Sequence, residues 1–174
     1  MMRTVIPGLL VLLLSSCRAD DKPIGMSLLF QSAGRSVGVT RFDPDGMRGP
    51  VPGAVGGIYP RGGKEMAFMP GDSKRAVPKF VDVEWVVPTP ESDIWLKNRE
   101  SLPNSVRYSP EGIEESKRVA ANQPHYAKRI DLALILIPEL VAQVRADAQN
   151  TQLKLTITFN NDDVDITAMA YKWR

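Results

Sequence analysis

Cysteine and histidine are almost absent from this sequence of 174 residues, which contains one of each. A lone cysteine cannot form a disulfide within its own chain. One thiol and one imidazole are also too few for the sulfur and nitrogen ligand sets that zinc, copper and iron require. We therefore expect no internal disulfide, no metal site and no cofactor.

A large excess of charge of one sign is also missing. The formal net charge is only +2, and lysine and arginine form no contiguous block. Proteins that bind nucleic acid neutralise many phosphates with clustered basic side chains. The sequence therefore indicates that nucleic acid is not a partner.

Sequence motifs of catalysis are absent as well. The chain has no Gly-x-Ser-x-Gly elbow, and its one histidine, His125, has no serine or aspartate partner close to it in sequence. Asp82 and Glu84 alternate with apolar residues, which is typical of the solvated face of a strand. A hydrolase built from carboxylates distant in sequence stays open. We expect that the protein is not an enzyme.

Long hydrophobic runs are missing too, and an apolar run near the start is short. It extends from Leu9 to Leu14, follows Arg3 and precedes Ser15-Ser16-Cys17. Such a run cannot cross a hydrocarbon core of ~30 Å. The order predicts a bacterial lipoprotein signal, with residues 1–16 removed and Cys17 acylated. The alternatives are an ordinary signal peptide and an uncleaved anchor with an incidental cysteine.

The lipoprotein interpretation sets the organisation of the remaining chain. Residues 17–23 are polar after the cysteine and form a lipidated tether, and residues 24–174 fit one globular, β-rich domain. Acyl chains on Cys17 would bind the lipid bilayer firmly. Arg18, rather than aspartate, follows the cysteine, which favours the outer membrane. The expected location is its inner leaflet, with the domain facing the periplasm.

Hydrophobic alternation predicts strands in the first half of the domain. Two apolar segments separated by Ala33-Gly34-Arg35 predict a hairpin. The stretch from Asp43 to Gly63 is rich in glycine and proline and predicts a loop with one short strand, Ala54 to Tyr59. Phe80 to Val87 alternates, with valines and Trp85 on one face.

The second half mixes helices and strands. Residues 89–104 predict an irregular excursion or a single helical turn, and Ser109-Pro110 predicts the start of a helix that reaches about Asn122. A central strand is predicted from Ala127 to Ile137. A helix follows from Pro138, with Leu140, Val141, Val144 and Ala148 facing inward. The alternative is one long helix kinked at Pro138.

The end of the chain predicts a hairpin. Leu153 to Phe159 and Val164 to Ala170 alternate on either side of Asn160-Asn161-Asp162-Asp163. Together the elements predict an α+β fold of mainly antiparallel sheet, as a sandwich or a curled sheet, with one or two helices packed on one face.

Several weak motifs together resemble small bacterial periplasmic lipoproteins of unknown-function families. They are the Leu14 to Cys17 signal, the Gly-Gly-x-Tyr-Pro segment at residues 56–60, Val81-x-Val83-x-Trp85, the Ile130 to Pro138 junction and a final hairpin that ends in Tyr171 and Trp173. Some of these lipoproteins act as immunity proteins to type VI secretion phospholipase effectors. The resemblance implies a protein that binds and inhibits a cognate secreted toxin, expected to be such a lipase.

An inhibitor of this kind would use aromatic and arginine side chains in irregular segments as anchors. The candidates for partner binding are Tyr59, Arg61, Trp95, Arg99 and Tyr108. One alternative is a structural or assembly lipoprotein of the outer membrane or a secretion apparatus that docks through a sheet edge. A carrier of lipids or small ligands would need a large apolar cavity inside the sheet.

Overall fold

The computed structural model describes residues 24–68 and 76–172. Within them the chain forms eight strands and four helices: β1 (Met26–Ser32), β2 (Val37–Pro44), β3 (Gly53–Val55), β4 (Lys64–Phe68), β5 (Phe80–Val86), α1 (Pro90–Glu100), α2 (Asn104–Arg107), α3 (Pro110–Ala121), β6 (His125–Asp131), α4 (Pro138–Ala146), β7 (Thr151–Asn160) and β8 (Asp163–Lys172). The lipidation site predicted at Cys17 lies outside the described residues. The predicted α+β class is confirmed.

The strands form two four-stranded sheets. The first has the order β4-β1-β7-β8 and the second the order β3-β2-β5-β6. All neighbouring strands are antiparallel except β1 and β7, which are parallel. The prediction of mainly antiparallel sheet is therefore confirmed.

The two sheets share one hydrophobic core and form a sandwich. Phe30 of the first sheet meets Phe42 of the second edge to face, with ring centroids 5.1 Å apart. Trp85 of the second sheet packs on Phe159 of the first at 5.6 Å, and its Nε1 donates a hydrogen bond to the Asn161 carbonyl oxygen at 2.8 Å. Each such side chain stabilises the fold by about 1.5–3 kcal/mol through burial.

The predicted hairpin between the first two strands is wrong. Residues 33–36 carry the chain from one sheet into the other, because β1 already has β4 and β7 as neighbours. β2 pairs instead with β3 and β5. The central position of β1 explains why nearly all of its side chains are buried.

The glycine- and proline-rich stretch contains less strand than predicted, and a further strand follows it. β3 ends at Val55 instead of Tyr59, and the Gly56 N–H donates to the Gly62 carbonyl oxygen at 3.2 Å. A Cβ on Gly62 would lie 2.7 Å from the Gly57 Cα, so this turn requires glycine. β4 begins directly after the turn and was not predicted from the sequence.

The strand predicted from Ala127 to Ile137 is confirmed only over residues 127–131, whereas its extension to Ile137, its central position and the kinked-helix alternative are wrong. β6 ends at Asp131 and lies at an edge of its sheet. Residues 132–137 form a turn in which the Leu136 N–H donates to the Leu132 carbonyl oxygen at 2.7 Å. Leu132 and Leu136 close one end of the core from this turn. Apolar content alone did not distinguish this role from that of a central strand.

The helix predicted after Ile137 is confirmed, and it contacts β7 and β8. Pro138 occupies its first turn, and Val141 and Val144 are buried as predicted. Ala148 lies beyond the end of the helix and is exposed, so its predicted inward position is wrong. No helix among the described residues is long and apolar enough to cross a membrane.

A helical insertion, residues 88–123, connects β5 to β6. Its neck is closed by a hydrogen bond from the Val87 N–H to the Pro124 carbonyl oxygen at 3.1 Å. The predicted helix from Pro110 is confirmed as α3, with Ser109 as its N-cap. Of the two alternatives for residues 89–104, the irregular excursion is wrong and the helical turn near Glu91 to Lys97 is correct but too short. The segment contains α1, capped by Thr89, whose Oγ1 accepts from the Ser92 N–H at 3.1 Å.

The sandwich has two distinct ends. At the first, the Ile24 end, the described chain begins, and Met26, Pro44 and Leu132 line one small void. At the opposite end, the insertion end, the helical insertion lies near the β7–β8 turn, and Arg35 forms an ion pair with Asp93 at 2.8 Å. The predicted terminal hairpin is confirmed, with Asn161 in the left-handed region at φ 58° in its turn.

Candidate partner-binding surface

The helical insertion leaves its hydrophobic side chains exposed. Within its three helices only Ser92 is buried. Ile94 and Tyr108 are each 63% exposed, and the other large apolar side chains in this region that lie at the surface are Leu96, Leu102, Val106 and Ile113. A concentration of exposed apolar residues on a soluble domain is typical of an interaction surface.

Arg99 brings two of the predicted aromatic residues together. The carbon of its guanidinium lies 5.5 Å from the ring centroid of Trp95 and 5.7 Å from that of Tyr108. Both distances are within the range of cation–π attraction. The guanidinium also donates to the Arg107 carbonyl oxygen at 3.1 Å. Three of the five predicted residues therefore form one group, the Arg99 cluster.

A cleft of about 300 Å³ lies beside the Arg99 cluster, between α1 and α3. Arg107 donates to the carbonyl oxygens of Glu100 and Leu102 at 2.8 and 3.2 Å, which ties the end of α1 to α2. A Cβ on Gly112 would lie 2.5 Å from the Val106 carbonyl oxygen, so glycine permits α3 to approach α2 closely. These contacts form the cleft within the insertion itself.

The other two predicted residues lie elsewhere. Tyr59 and Arg61 are exposed in the β3–β4 loop. The Lys154 Nζ lies 5.7 Å from the ring centroid of Tyr59 and 4.8 Å from that of Tyr171. The structure therefore associates Tyr59 with the outer face of the first sheet and does not join it to the Arg99 cluster.

A polar network supports the surface beneath Tyr59. Ser27 Oγ donates to Glu65 Oε1 at 2.8 Å, and Lys154 Nζ donates to the same oxygen at 3.0 Å. The hydrogen bond from Ser27, and then that from Lys154, lower the pKa of the Glu65 carboxyl group. The carboxylate form is therefore favoured by the fold.

Asp82 and Glu84 lie on the outer face of the second sheet, where each is paired with an arginine. Arg129 donates to both oxygens of Asp82, at 2.7 and 2.8 Å, and Arg41 donates to Glu84 at 2.9 Å. The hydrogen bonds from Arg129 lower the pKa of Asp82. This geometry is that of a charged strand face, as the alternation predicted.

In the described part of the chain, the histidine does not belong to any cluster of metal-ligating side chains. His125 is exposed at the first residue of β6, opposite Val86. Over residues 24–68 and 76–172, no three histidine, cysteine, aspartate or glutamate side chains form a group that could hold a metal ion.

The exposed leucine, isoleucine and valine residues of the insertion were missed by sequence reasoning. Ile94, Leu102 and Val106 are the clearest cases. For Ile94 the sequence signal is the lack of a helical period, because the apolar residues of α1 are the consecutive Ile94, Trp95 and Leu96 and do not share one inward stripe. A helix with this pattern has no face to bury against the sandwich.

No protein-family model matches the chain, and no curated protein or solved structure is significantly similar to it.

Proposed function

We propose that this protein is a membrane-anchored periplasmic immunity lipoprotein that binds and inhibits a secreted toxin, such as a type VI lipase effector. The observation that carries the proposal is the Arg99 cluster, with Tyr108 exposed and Trp95 and Arg99 partly exposed, on an insertion whose three helices bury no apolar side chain. Binding is the activity that this arrangement supports best.

The composition of the cluster suits tight recognition. Tryptophan, tyrosine and arginine are the residues most enriched among interface hot spots. Arg99 is already positioned by Trp95, Tyr108 and the Arg107 carbonyl oxygen. A side chain that is ordered before binding loses less entropy when the partner arrives. The adjacent cleft has room for a side chain of the partner.

The position of the insertion agrees with a tether at Cys17. The described chain begins at the Ile24 end, and the insertion lies at the other end of a sandwich whose strand β1 has seven residues. Seven residues of strand are about 23 Å long. An anchored protein would present the Arg99 cluster away from the bilayer surface, and anchoring would raise its effective concentration near a toxin that acts on lipids.

In this proposal the protein inhibits the toxin by binding to it, and no catalytic reaction by the protein is required. The insertion would fill or lock the cleft of the toxin, and the outward carboxylates of the second sheet would remain paired with arginines. The apolar void between the sheets near Met26 measures about 10 Å³, which is far smaller than the interior cavity that a lipid carrier would need.

A capture experiment tests the proposal. The full, acylated protein would be purified from the native envelope, its partner identified by mass spectrometry, and the partner's lipase activity titrated with the protein. We expect stoichiometric loss of that activity. Trp95→Ala and Tyr108→Ala should weaken binding at least about tenfold, as hot-spot truncations do. Tyr59→Ala is the matched control and should bind normally.

Two results would contradict the proposal. One is turnover of a lipid by the purified protein itself. The other is loss of toxin binding in Tyr59→Ala with full binding in both insertion variants, which would move the interface to the β3–β4 loop.

A structural or assembly lipoprotein is the second candidate, and the free edge of β8 favours it. β8 has ten residues and, among the strands of the described residues, pairs only with β7. Its other edge can accept a strand from another protein, except near Val164, whose carbonyl oxygen accepts from Lys128 Nζ at 3.2 Å. Capture of outer-membrane or secretion-channel subunits, with no toxin inhibited, would support this candidate instead.

A further inference from the structure

The turn at residues 132–137, here called the apolar loop, has the sequence Leu-Ala-Leu-Ile-Leu-Ile. Leu132 and Leu136 are buried, but Leu134 is 88% exposed and Ile137 is 46% exposed. Leu134 is the most exposed large hydrophobic residue of the described chain. A leucine in this position costs free energy in water unless something apolar covers it.

The apolar loop is held in place by hydrogen bonds. The Leu132 N–H donates to the Lys79 carbonyl oxygen at 2.8 Å, and the Ile135 N–H donates to the Leu132 carbonyl oxygen at 3.0 Å. Asp131 Oδ1 accepts from the Ala133 N–H at 2.8 Å. The fold therefore presents Leu134 outward on a fixed turn.

These hydrogen bonds also reduce the cost of entering an apolar environment. Backbone N–H groups without partners are the main obstacle to placing a loop near hydrocarbon. Four N–H groups of the apolar loop donate within the protein, those of Leu132, Ala133, Ile135 and Leu136. The Ile137 carbonyl oxygen accepts from the first turn of α4.

The surface beside the loop extends the apolar area. A groove of about 880 Å³ runs between the loop, α4 and Pro78, and its lining includes Leu136 and Val141. The loop therefore contributes Leu132, Ala133 and Leu136 to this groove, whose lining also contains the charged residues Asp45, Lys79 and Arg145.

The position of the apolar loop indicates what covers it. Leu132 and Met26 line the same void, so the loop lies at the Ile24 end, where the described chain begins. Cys17 precedes Ile24 by seven residues, which can span at most about 25 Å. A lipid anchor on Cys17 would therefore keep this end of the sandwich within about 25 Å of the bilayer surface.

We infer that the apolar loop inserts Leu134 and Ile137 into the surface layer of the bilayer, as a second contact beside the acylated cysteine. The inference rests on the proposed anchor at Cys17. Interfacial apolar segments enter about 5–10 Å below the headgroup boundary. Two contacts at one end of the sandwich fix its orientation, so that the insertion end faces away from the membrane.

A fluorescence experiment on the full, acylated protein tests this contact. Because the chain has one cysteine and the anchor occupies it, Leu134→Cys supplies a single reactive thiol. It is labelled with an environment-sensitive fluorophore, and the protein is reconstituted in vesicles of phosphatidylethanolamine and phosphatidylglycerol that contain spin-labelled acyl chains. Asp162→Cys, exposed in the β7–β8 turn at the insertion end, is the matched control.

We expect a blue shift and loss of emission by quenching for the label at position 134, and neither for the label at 162. If the emission of the label at position 134 stays as it is in water while the protein floats with the vesicles, the inference is overturned. The anchor would then remain supported. A blue shift without quenching, together with dimers in solution, would mean that a second copy covers the loop.

The anchor itself is tested in the same preparation. If the fluorophore also reacts with Cys17 and the protein does not float with the vesicles, then Cys17 carries no lipid. This result would overturn both the anchor and the membrane contact.

Discussion

In the sandwich, hydrophobic side chains meet across two sheets, whereas in the helical insertion they face outward. Phe30, Trp85 and Phe159 are fully buried between the sheets. Ile94 and Tyr108 are largely exposed in the insertion. The side chains that stabilise the fold by burial are therefore separate from the exposed side chains that we propose as a binding surface. The sandwich can tolerate changes in the insertion, because the insertion contributes little to the core.

The two regions also differ in how they hold their shape. Isolated helices shorter than about 12–15 residues are marginal in water. The insertion therefore depends on capping by Thr89 and Ser109 and on the hydrogen bonds of Arg99 and Arg107. Regions with few buried contacts open more readily than the core. We expect the insertion to open locally while the sandwich remains folded.

Replacing each of two tryptophans should separate the two regions most strongly in the free energy of unfolding. Trp85→Ala removes a side chain buried between the sheets and should lower the free energy of unfolding by about 3–5 kcal/mol. Trp95→Ala, in the insertion, should cost far less, because Trp95 is only partly buried. Denaturant unfolding measures both. Equal losses would mean that the insertion belongs to the core.

A second comparison uses two leucines in the same turn. Leu132 is 1% exposed and closes one end of the core, so Leu132→Ala should cost about 2–5 kcal/mol. Leu134→Ala should change stability by no more than about 0.5 kcal/mol, as surface substitutions usually do. Thermal unfolding in solution separates the two. A large loss in Leu134→Ala would show that its side chain is covered within the protein.

A smaller effect is expected at the helix caps. Thr89→Ala and Ser109→Ala each remove an acceptor from the first turn of a helix, at a cost of about 1 kcal/mol. The cost should appear as faster amide hydrogen exchange within α1 and α3, with exchange in β1 and β7 unchanged. Faster exchange throughout the sandwich would contradict the independence of the two regions.

The smallest effect concerns pH and the outer face of the first sheet. The folded protein lowers the pKa of Glu65 through Ser27 and Lys154. This contribution to stability is present above the pKa of an unperturbed glutamate, about 4.3, and is lost as pH falls through the lowered value. Glu65→Gln should therefore reduce the loss of stability on acidification. An unchanged pH dependence of the unfolding midpoint would contradict this assignment.

The sequence correctly predicted those elements whose residue pattern is set by a local physical requirement. Phe80 to Val86 and Leu153 to Phe159 alternate because one face of each strand meets the core. Ser109-Pro110 predicted a helix start correctly. Thr89-Pro90 carries the same kind of cap, but α1 has no buried stripe to support the interpretation.

Other features depend on contacts that are distant in sequence. Ala33-Gly34-Arg35 is compatible with a hairpin, and only the neighbours of β1 decide that β2 joins the other sheet. Residue type identified Trp95, Arg99 and Tyr108 as separate candidates, and it is the fold of the insertion that brings them together. The exposure of Leu134 had no sequence signal, because its neighbours are equally apolar.

The parallel pairing of β1 with β7 has a consequence for the order of assembly. Met26 lies beside Leu153, so the first strand to leave the ribosome needs one of the last as its neighbour. Chains with such high contact order fold slowly, because a long loop must close first. The first sheet cannot be completed before Lys172, the last residue of β8, is available, so a chain that is still being synthesised cannot close it.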